Sequence, residues 1–449
     1  MPSIHCQRAY GFSVTNGASL VLVIPASPMV KLLRSERASV VSEAAVLRWL
    51  AAKAAEQPLL QEQTQEPEDS PNCSSAGVSR GTEDWPISSS SRCTIDDTIE
   101  HLQPLVPALL AHTAAVSEVG LEYNLLKPTL GDPVSELGPP LSASERRTID
   151  FQIGQFYRQM CKLVSPTGRF GPAFAVLPPA APTSATEPTR PASTDLNARL
   201  MDAKGVQSWT TAFHSMLEAL LRDGEDMQVM LGYNAIRRNF KRFEHALDAV
   251  KTPRLVAVDI GRDPNTLALR KPRRTRTATP PRGTRNGSQG SESPGYSRVE
   301  SDGDSEDEID TVAPELRVVT PCYPDDVVVM TGMKDWSNVI FGDPLFAITF
   351  NHNPSDDFLK GFIGEADLQS SITSIFSSDM VEDKEKAHVR LLLYNCYHTI
   401  TQILKGYFRR QRDSSGRELE ARKKLNDILA QLDALDDSGR RIGKRPSGE

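Results

Sequence analysis

Long apolar runs, clustered cysteines and an excess of positive charge are all absent from this sequence. The longest apolar run, residues 19–24, stops at Pro25, far short of the roughly 20 residues that a membrane-spanning helix needs. The six cysteines form no CxxC or Cys/His metal spacing, which favours reduced thiols. With 51 Lys and Arg against 58 Asp and Glu, the net charge of −7 disfavours binding of nucleic acid through bulk charge. We therefore expect a soluble cytoplasmic protein that binds neither membranes nor nucleic acid.

The 449-residue chain is instead rich in proline, with 32 residues, and these are concentrated in polar segments. Segments 57–97 and 270–313, and the tail 436–449, have too few periodic apolar residues to offset the entropy of ordering them, so we predict disorder there. Residues 178–194 are predicted to form a Pro/Ala/Thr linker. Segment 270–313 has a basic first half and an acidic second half. It is therefore the candidate region for contact with a protein partner.

Between these segments the apolar pattern is regular. Ser142 and Glu145 form a capping box, and apolar residues follow it at spacings of 4, 3, 4 and 3, which predicts one buried helix face. Further helices are predicted at 209–220, 234–250, 388–409 and 417–435. Short β-rich runs are predicted as strands at 19–24, 121–127, 254–260, 266–269 and 326–333. Strands early and helices late indicate an α+β fold in two lobes.

Two carboxylates and one amide stand at the ends of these predicted strands. Asp259 lies at the end of the strand at 254–260, Asn265 follows it closely, and Asp335 follows the strand at 326–333. Phosphoryl transfer from Mg-ATP uses this set: one Asp accepts the proton of the attacking hydroxyl, while an Asn and a second Asp hold Mg²⁺. The spacing alone is a weak signal, because many strands end in Asp.

Several segments in the same order resemble the aminoglycoside-phosphotransferase/choline-kinase-like branch of the protein-kinase-like fold. Residues 19–27 (SLVLVIPAS) and 42–50 (SEAAVLRWL) look like the third strand and the C-helix of that family. Residues 123–131 (YNLLKPTLG) look like the hinge, and 253–259 (PRLVAVD) stand where the catalytic loop belongs. Residues 332–336 (GMKDW) and 341–345 (FGDPL) look like the strand with the metal-binding Asp and its sequel.

The resemblance implies a small β-rich N-lobe at 1–126, a large helical C-lobe at 127–435, and ATP with Mg²⁺ as cofactors. By position, Asp259 is the expected catalytic base, and Asp335 and Asn265 are the expected Mg²⁺ ligands. The expected reaction is transfer of the ATP γ-phosphate to a hydroxyl of a small polar molecule.

The same resemblance assigns the expected ATP contacts. Glu43 is expected on the C-helix as the partner of the phosphate-binding lysine. The backbone of Asn124, Leu125 and Leu126 is expected to meet the adenine edge. Asp343 is expected to brace a loop by hydrogen bonds.

The sequence departs from the family at four points. Val23 stands where the phosphate-binding lysine belongs, although Lys31 or Lys53 are candidates to replace it. Ala257 replaces the usual histidine two residues before the catalytic Asp. Asn265 follows Asp259 by six residues instead of the family's five, and little chain precedes Tyr10 to form a glycine-rich loop. We expect either a degenerate N-terminal hairpin or an incomplete translation product.

These departures leave alternatives open. The second hypothesis is a catalytically impaired pseudokinase that binds a nucleotide or a protein. A third, weaker hypothesis is a scaffold that acts through its predicted disordered segments.

Overall fold

The computed structural model describes residues 6–15, 17–62, 95–113, 122–177, 205–270, 328–364, 376, 378–410 and 413–442. These ranges contain small antiparallel sheets and many helices, so the predicted α+β class is confirmed at this level. The strands are β1 Gln7–Ser13, β2 Ser19–Pro25, β3 Ala108–Thr113, β4 Tyr123–Lys127, β5 Asp132–Pro133, β6 Gly171–Pro172, β7 Arg254–Ala257, β8 Thr266–Arg270, β9 Val328–Met333 and β10 Val339–Gly342. The helices are α1 Ser39–Glu62, α2 Ile95–Leu102, α3 Ala143–Lys162, α4 Ala173–Val176, α5 Trp209–Asp226, α6 Tyr233–Leu247, α7 Asp356–Ile363, α8 Ala387–Phe408 and α9 Ser414–Asp433.

The largest sheet has four antiparallel strands in the order β1-β2-β4-β3. Strands β1 and β2 form a hairpin in which Ser13 pairs with Ser19, and its turn contains Gly17 at φ +81°. Strand β4 is central, because it pairs with β2 on one edge and with β3 on the other. Helix α1 contacts β2, β3 and β4, so it covers one face of this sheet.

Two three-stranded sheets carry the later strands, in the orders β6-β10-β7 and β5-β8-β9. Strand β7 is shorter than the predicted 254–260, because a turn follows it: the Ile260 N–H bonds to the Ala257 carbonyl and Gly261 has φ +76°. This turn carries Asp259 out of the strand, and Asp335 lies two residues after the end of β9 at Met333.

Helix α3 runs through the centre of the helical region. Its capping box is confirmed, since Ser142 and Glu145 exchange hydrogen bonds at 3.2 and 2.7 Å. The predicted stripe of Ile149, Ile153, Phe156, Met160 and Leu163 is entirely buried. Helix α3 packs closely on α7, where Gly154 and Gly361 face each other's backbone and leave no room for a side chain.

The predicted disordered segments differ from the structure at their edges. Helix α1 continues to Glu62, because the Leu, Gln and Glu residues at 59–62 are strong helix formers, and α2 already begins at Ile95. Arg270 belongs to β8 and bonds to Glu145. Residues 436–442 form a turn in which Asp436 accepts N–H bonds from Ser438 and Arg440. The rest of the predicted disordered and linker segments lies outside the described residues: 63–94, 178–194, 271–313 and 443–449. The range 271–313 includes the segment predicted to contact a protein partner.

Within the described ranges, no helix combines the length and the apolar character that crossing a bilayer requires.

Candidate functional site

A cavity of about 1640 Å³ lies between the β1–β2–β4 part of the sheet with α1 on one side and helices α5 and α8 on the other. Five of the seven predicted site residues line this cavity: Glu43, Leu126, Asp259, Asn265 and Asp335. They come from four separate elements or loops, with Asp259 and Asn265 in the loop between β7 and β8, so only the fold brings the four together.

Asn265 and Asp335 are fixed to each other by a reciprocal pair of hydrogen bonds. The Asp335 N–H donates to Asn265 Oδ1 at 2.8 Å, and Asn265 Nδ2 donates to the Asp335 carbonyl at 3.4 Å. The Lys334 N–H also bonds to the Asn265 carbonyl at 2.9 Å. The Asp335 carboxylate in turn accepts the Ser337 N–H at 2.8 Å. Asn265 therefore positions the loop that carries Asp335.

Asp259 is held by two neighbours at the cavity wall. Asn338 Nδ2 donates to Oδ2 at 2.6 Å, and Arg262 lies 3.3 Å from Oδ1. Burial acts to raise the pKa of Asp259, but the charges of Lys405 and Arg262 and the hydrogen bond from Asn338 outweigh it. The pKa therefore lies below the ordinary value, and the side chain is ionised at neutral pH.

Glu43 lies on α1 and is 1 % exposed. One carboxyl oxygen accepts Asn124 Nδ2 at 3.0 Å, and the other accepts the Trp336 N–H at 3.4 Å. Burial and the nearby charge of Asp335 raise the pKa of Glu43 to about 8, against the smaller opposing effect of these two hydrogen bonds. Glu43 is therefore mostly protonated at neutral pH.

The backbone of Asn124, Leu125 and Leu126, predicted to contact adenine, is paired within the sheet. All three residues lie in β4, where their backbone pairs with β2 and β3 on the two edges. Asn124 is fully buried and bonds to Glu43, the Val40 carbonyl and His112 instead. Of the three, only Leu126 lines the cavity. The backbone that follows β4, with Pro128, Thr129 and Gly131, lines it as well.

Neither Lys31 nor Lys53 takes the place of the lysine that the family has at Val23. Val23 is 4 % exposed, lines the cavity and pairs directly with Asn124 across the sheet. Lys31 Nζ lies against Met227 at 3.7 Å, and Lys53 pairs with Glu56 at 2.7 Å. Neither lysine lines the cavity, so neither of the two sequence candidates replaces the missing cation there.

Sequence reasoning missed a group of charged residues at the helical end of the cavity. Arg409 makes a bidentate pair with Glu36, with both contacts at 2.7 Å. Lys405 Nζ lies 3.4 Å from the same Glu36 and also lowers the pKa of Asp259. Lys405 and Arg409 are one helical turn apart near the end of the predicted helix at 388–409. That spacing predicts that both side chains lie on one face of the helix, but it does not predict that this face lines the cavity.

The donor atoms suit magnesium in chemical type. Mg²⁺ prefers oxygen ligands, and Asp335 and Asn265 offer a carboxylate and an amide oxygen. Asn265 Oδ1 already accepts one N–H, which leaves one lone pair for a metal. Across the described residues there is no cluster of three or more His, Cys, Asp or Glu residues that could hold a metal by itself. A magnesium ion here would therefore depend on phosphate oxygens for further ligands.

The comparisons with known proteins add little. No family model matches the chain, and no curated protein matches it. A solved structure from Ralstonia eutropha JMP134, described as a "putative aminoglycoside phosphotransferase", aligns with it at 9 % identity and a TM-score of 0.42. The alignment covers 96 % of this chain and 93 % of that one. Likeness at this level assigns neither a fold family nor an activity to this chain.

Proposed function

We propose that this protein is a kinase-like phosphotransferase that moves the γ-phosphate of ATP to a hydroxyl of a small polar molecule. The observation that carries the proposal is the convergence of Asp259, Asn265 and Asp335 on one large cavity. The sequence pattern predicts the same three residues for this chemistry independently of their positions in space. The proposal includes a two-lobed kinase-like arrangement, with the cavity as the cleft between the lobes.

Asp259 is the proposed base. Its carboxylate is ionised, lines the cavity and is oriented by Asn338 and Arg262. It accepts a hydrogen bond from the acceptor hydroxyl and takes its proton as the new O–P bond forms and ADP leaves.

Asp335 and Asn265 are the proposed magnesium ligands. Bound Mg²⁺ supplies charge neutralisation for the phosphate groups. The reciprocal hydrogen bonds between the two residues keep the Asp335 loop in place, so that its carboxylate needs little rearrangement to bind a metal. We assign the adenine contact to the segment after β4, with Pro128 and Thr129, because the backbone of β4 itself is already paired.

A second function, a pseudokinase that binds nucleotide without transfer, is favoured by one observation. Glu43 has Asn124 as its side-chain partner where the family has a lysine, and Val23 offers no charge to a phosphate. The loss of such a cation typically removes several kcal/mol of transition-state stabilisation.

Thermal unfolding with and without Mg-ATP tests nucleotide binding. We expect Mg-ATP to raise the melting temperature of the wild-type chain and to lose that effect in Asp335→Asn. The matched control is Asp433→Asn, whose side chain lies on α9, pairs with Arg238 and does not line the cavity. If Mg-ATP does not stabilise the wild-type chain, both functions are wrong.

ADP release with a panel of polyols, sugars, amino alcohols and hydroxy acids separates the two functions. The phosphotransferase predicts acceptor-dependent release that falls about 10²–10⁴-fold in Asp259→Asn. Binding of Mg-ATP without turnover for any acceptor supports the pseudokinase and contradicts the transferase.

A further inference from the structure

The charge of the cavity differs in sign from that of the chain. Eight Lys and Arg residues line it against six Asp and Glu, whereas the whole sequence has a net charge of −7. One of the six acids is Glu43, which burial and the charge of Asp335 keep mostly protonated at neutral pH. The cavity is therefore a positive region in an acidic protein, and it attracts anions.

Four of the eight cations, Arg37, Arg222, Lys405 and Arg409, lie on or next to helices α5 and α8 and the turn at Arg34–Glu36. The acid of α5 that lines the cavity, Asp223, is already bonded by Arg34, both through its guanidinium and through its backbone N–H at 2.9 Å. It therefore offers little negative charge to a ligand.

Glu36, the acid that pairs with Lys405, is also compensated. Its two oxygens accept the bidentate guanidinium of Arg409 at 2.7 Å each, and Oε2 accepts the Leu33 N–H at 3.1 Å. One guanidinium balances one carboxylate, so the ammonium group of Lys405, 3.4 Å from Oε1, is a surplus charge. Its side chain is 36 % exposed, so it can reach a ligand.

Lys405 stands close to the proposed base. A series of contacts connects the two groups. Lys405 pairs with Glu36, and Ser39, three residues later, donates to the Cys6 carbonyl at 3.5 Å. Cys6 Sγ lies 4.0 Å from Ser337 Oγ, and the neighbouring Asn338 bonds to Asp259 at 2.6 Å. An acceptor whose hydroxyl reaches Asp259 therefore presents its neighbouring groups to Lys405. An ammonium group on the acceptor would be repelled there, whereas a carboxylate or phosphate would gain a charge-assisted hydrogen bond.

We propose that the acceptor is a small hydroxy compound with an anionic group, bound through Lys405, and not a cationic amino alcohol or amino sugar. This inference rests on the phosphotransferase function proposed above. Carboxylate and phosphate share the required chemistry, so the experiment includes one acceptor of each kind.

The test compares acceptors that share a carbon skeleton and differ in charge. ADP release from Mg-ATP is measured with glycerate and glycerol 3-phosphate as anions, glycerol as the neutral acceptor, and 3-amino-1,2-propanediol as the cation. A charge-assisted hydrogen bond corresponds to about a tenfold or greater gain, so we expect kcat/KM for the better anion to exceed that for glycerol by at least this factor. The cationic acceptor is expected to be the poorest.

Two variants of Lys405 connect this preference to the residue. Lys405→Gln is expected to reduce the ratio of anionic to neutral kcat/KM about tenfold, and Lys405→Arg is expected to retain most of it. The ratio is the readout because loss of Lys405 also changes the pKa of Asp259, which affects both acceptors alike. The matched control is Lys386→Gln, on a lysine of similar exposure that pairs with Asp383 at 3.6 Å outside the cavity.

The outcomes separate this inference from the function on which it rests. Turnover with equal kcat/KM for anionic and neutral acceptors, or a preference for the amine, overturns the inference and leaves the phosphotransferase in place. A preference that survives in Lys405→Gln also overturns it. If no acceptor is turned over, the phosphotransferase function has failed, and calorimetric titration with glycerate and glycerol tests anion recognition alone. Binding of glycerate that depends on Lys405 supports anion recognition. Equal binding of glycerate and glycerol contradicts anion recognition.

Discussion

Two buried carboxyl groups of this protein have opposite surroundings, although each is 1 % exposed. Asp343, at the N-terminus of the short turn Pro344–Phe346, accepts Arg390 Nε at 2.8 Å, the Tyr394 hydroxyl at 2.8 Å and the Leu345 N–H at 3.0 Å. Glu43 has an amide and a backbone N–H as partners and lies near a second carboxylate, Asp335.

The difference shows which acid is structural. Asp343 has a guanidinium, which itself bonds to the carbonyls of Glu382 and Asp383, so its charge is compensated within a network that joins a loop to α8. This agrees with the expectation that Asp343 braces a loop. Glu43 lines the cavity without a cation and avoids the cost of a buried charge by holding a proton. A cation from a ligand or a substitution near Glu43 would favour its ionised form.

The largest expected effect is a loss of stability when Asp343 loses its counter-charge. Arg390→Leu leaves Asp343 buried without its counter-charge, so we expect a loss of about 3–5 kcal/mol in the free energy of unfolding. Urea denaturation at pH 7 measures it. The control is Arg238→Leu, whose pair with Asp433 is exposed on both sides and is expected to contribute less than about 1 kcal/mol. Equal losses in the two variants would show that the network around Asp343 contributes no more to stability than an exposed ion pair does.

The next largest expected effect is a pH dependence of the free energy of unfolding, caused by Glu43. Its folded pKa of about 8 lies above its unfolded value, so the folded chain binds more protons between these values. The stabilisation that results from the raised pKa of Glu43 is fully present below the unfolded pKa. It decreases as the pH rises towards and through 8. We expect the wild-type chain to lose about 2 kcal/mol between pH 6 and pH 8, and Glu43→Gln to lose less.

Urea denaturation at several pH values measures this difference. Glu56→Gln is the matched control, because it removes an exposed carboxyl from the same helix. Parallel stability curves for wild type and Glu43→Gln would contradict a raised pKa for Glu43.

The smallest expected effect comes from restoring the missing cation. Val23→Lys places an amine opposite Asn124 and near Glu43, which creates a charge pair like that of Asp343 and Arg390. We expect the pair to ionise Glu43 and to increase affinity for Mg-ATP about tenfold, measured by calorimetric titration. Val21→Lys is the control, because it lies on the same face of β2 but pairs with Leu126.

The double variant Val23→Lys with Glu43→Gln sharpens this test. It keeps the amine but removes the acid, so the gain in affinity should be smaller than in the single variant. An equal gain would mean that the lysine acts on phosphate without any contribution from Glu43.

Local structure was largely predictable from the sequence. The capping box at Ser142 and the apolar stripe of α3 followed from periodicity, because the face of a helix that is buried must be apolar every three or four residues. Helix α6 was placed correctly but ends at Leu247, three residues before the predicted end. Strand β7 ends early because the turn at Gly261 interrupts it. Boundaries depend on turns that weak local signals do not define.

The candidate site was predictable in part. Asp259, Asn265 and Asp335 were selected from strand ends, and they line one cavity. The pairing of the predicted adenine-contact strand was not predictable, because the sequence does not reveal that β4 is central and paired on both edges. The cations of α8 were missed, because a lysine on a predicted helix is normally assigned to the solvent-facing side.

The sequence by itself determined the long helices, half of the described strands, the acids of the site and the absence of a lysine at Val23. The tertiary structure alone decided that Asn124 bonds to Glu43, that Asn265 holds the Asp335 loop, and that Lys405 acts on Asp259. The reason is physical: periodicity and turn chemistry act between residues a few positions apart. Charge compensation and pKa depend instead on burial and on distances between groups far apart in the chain.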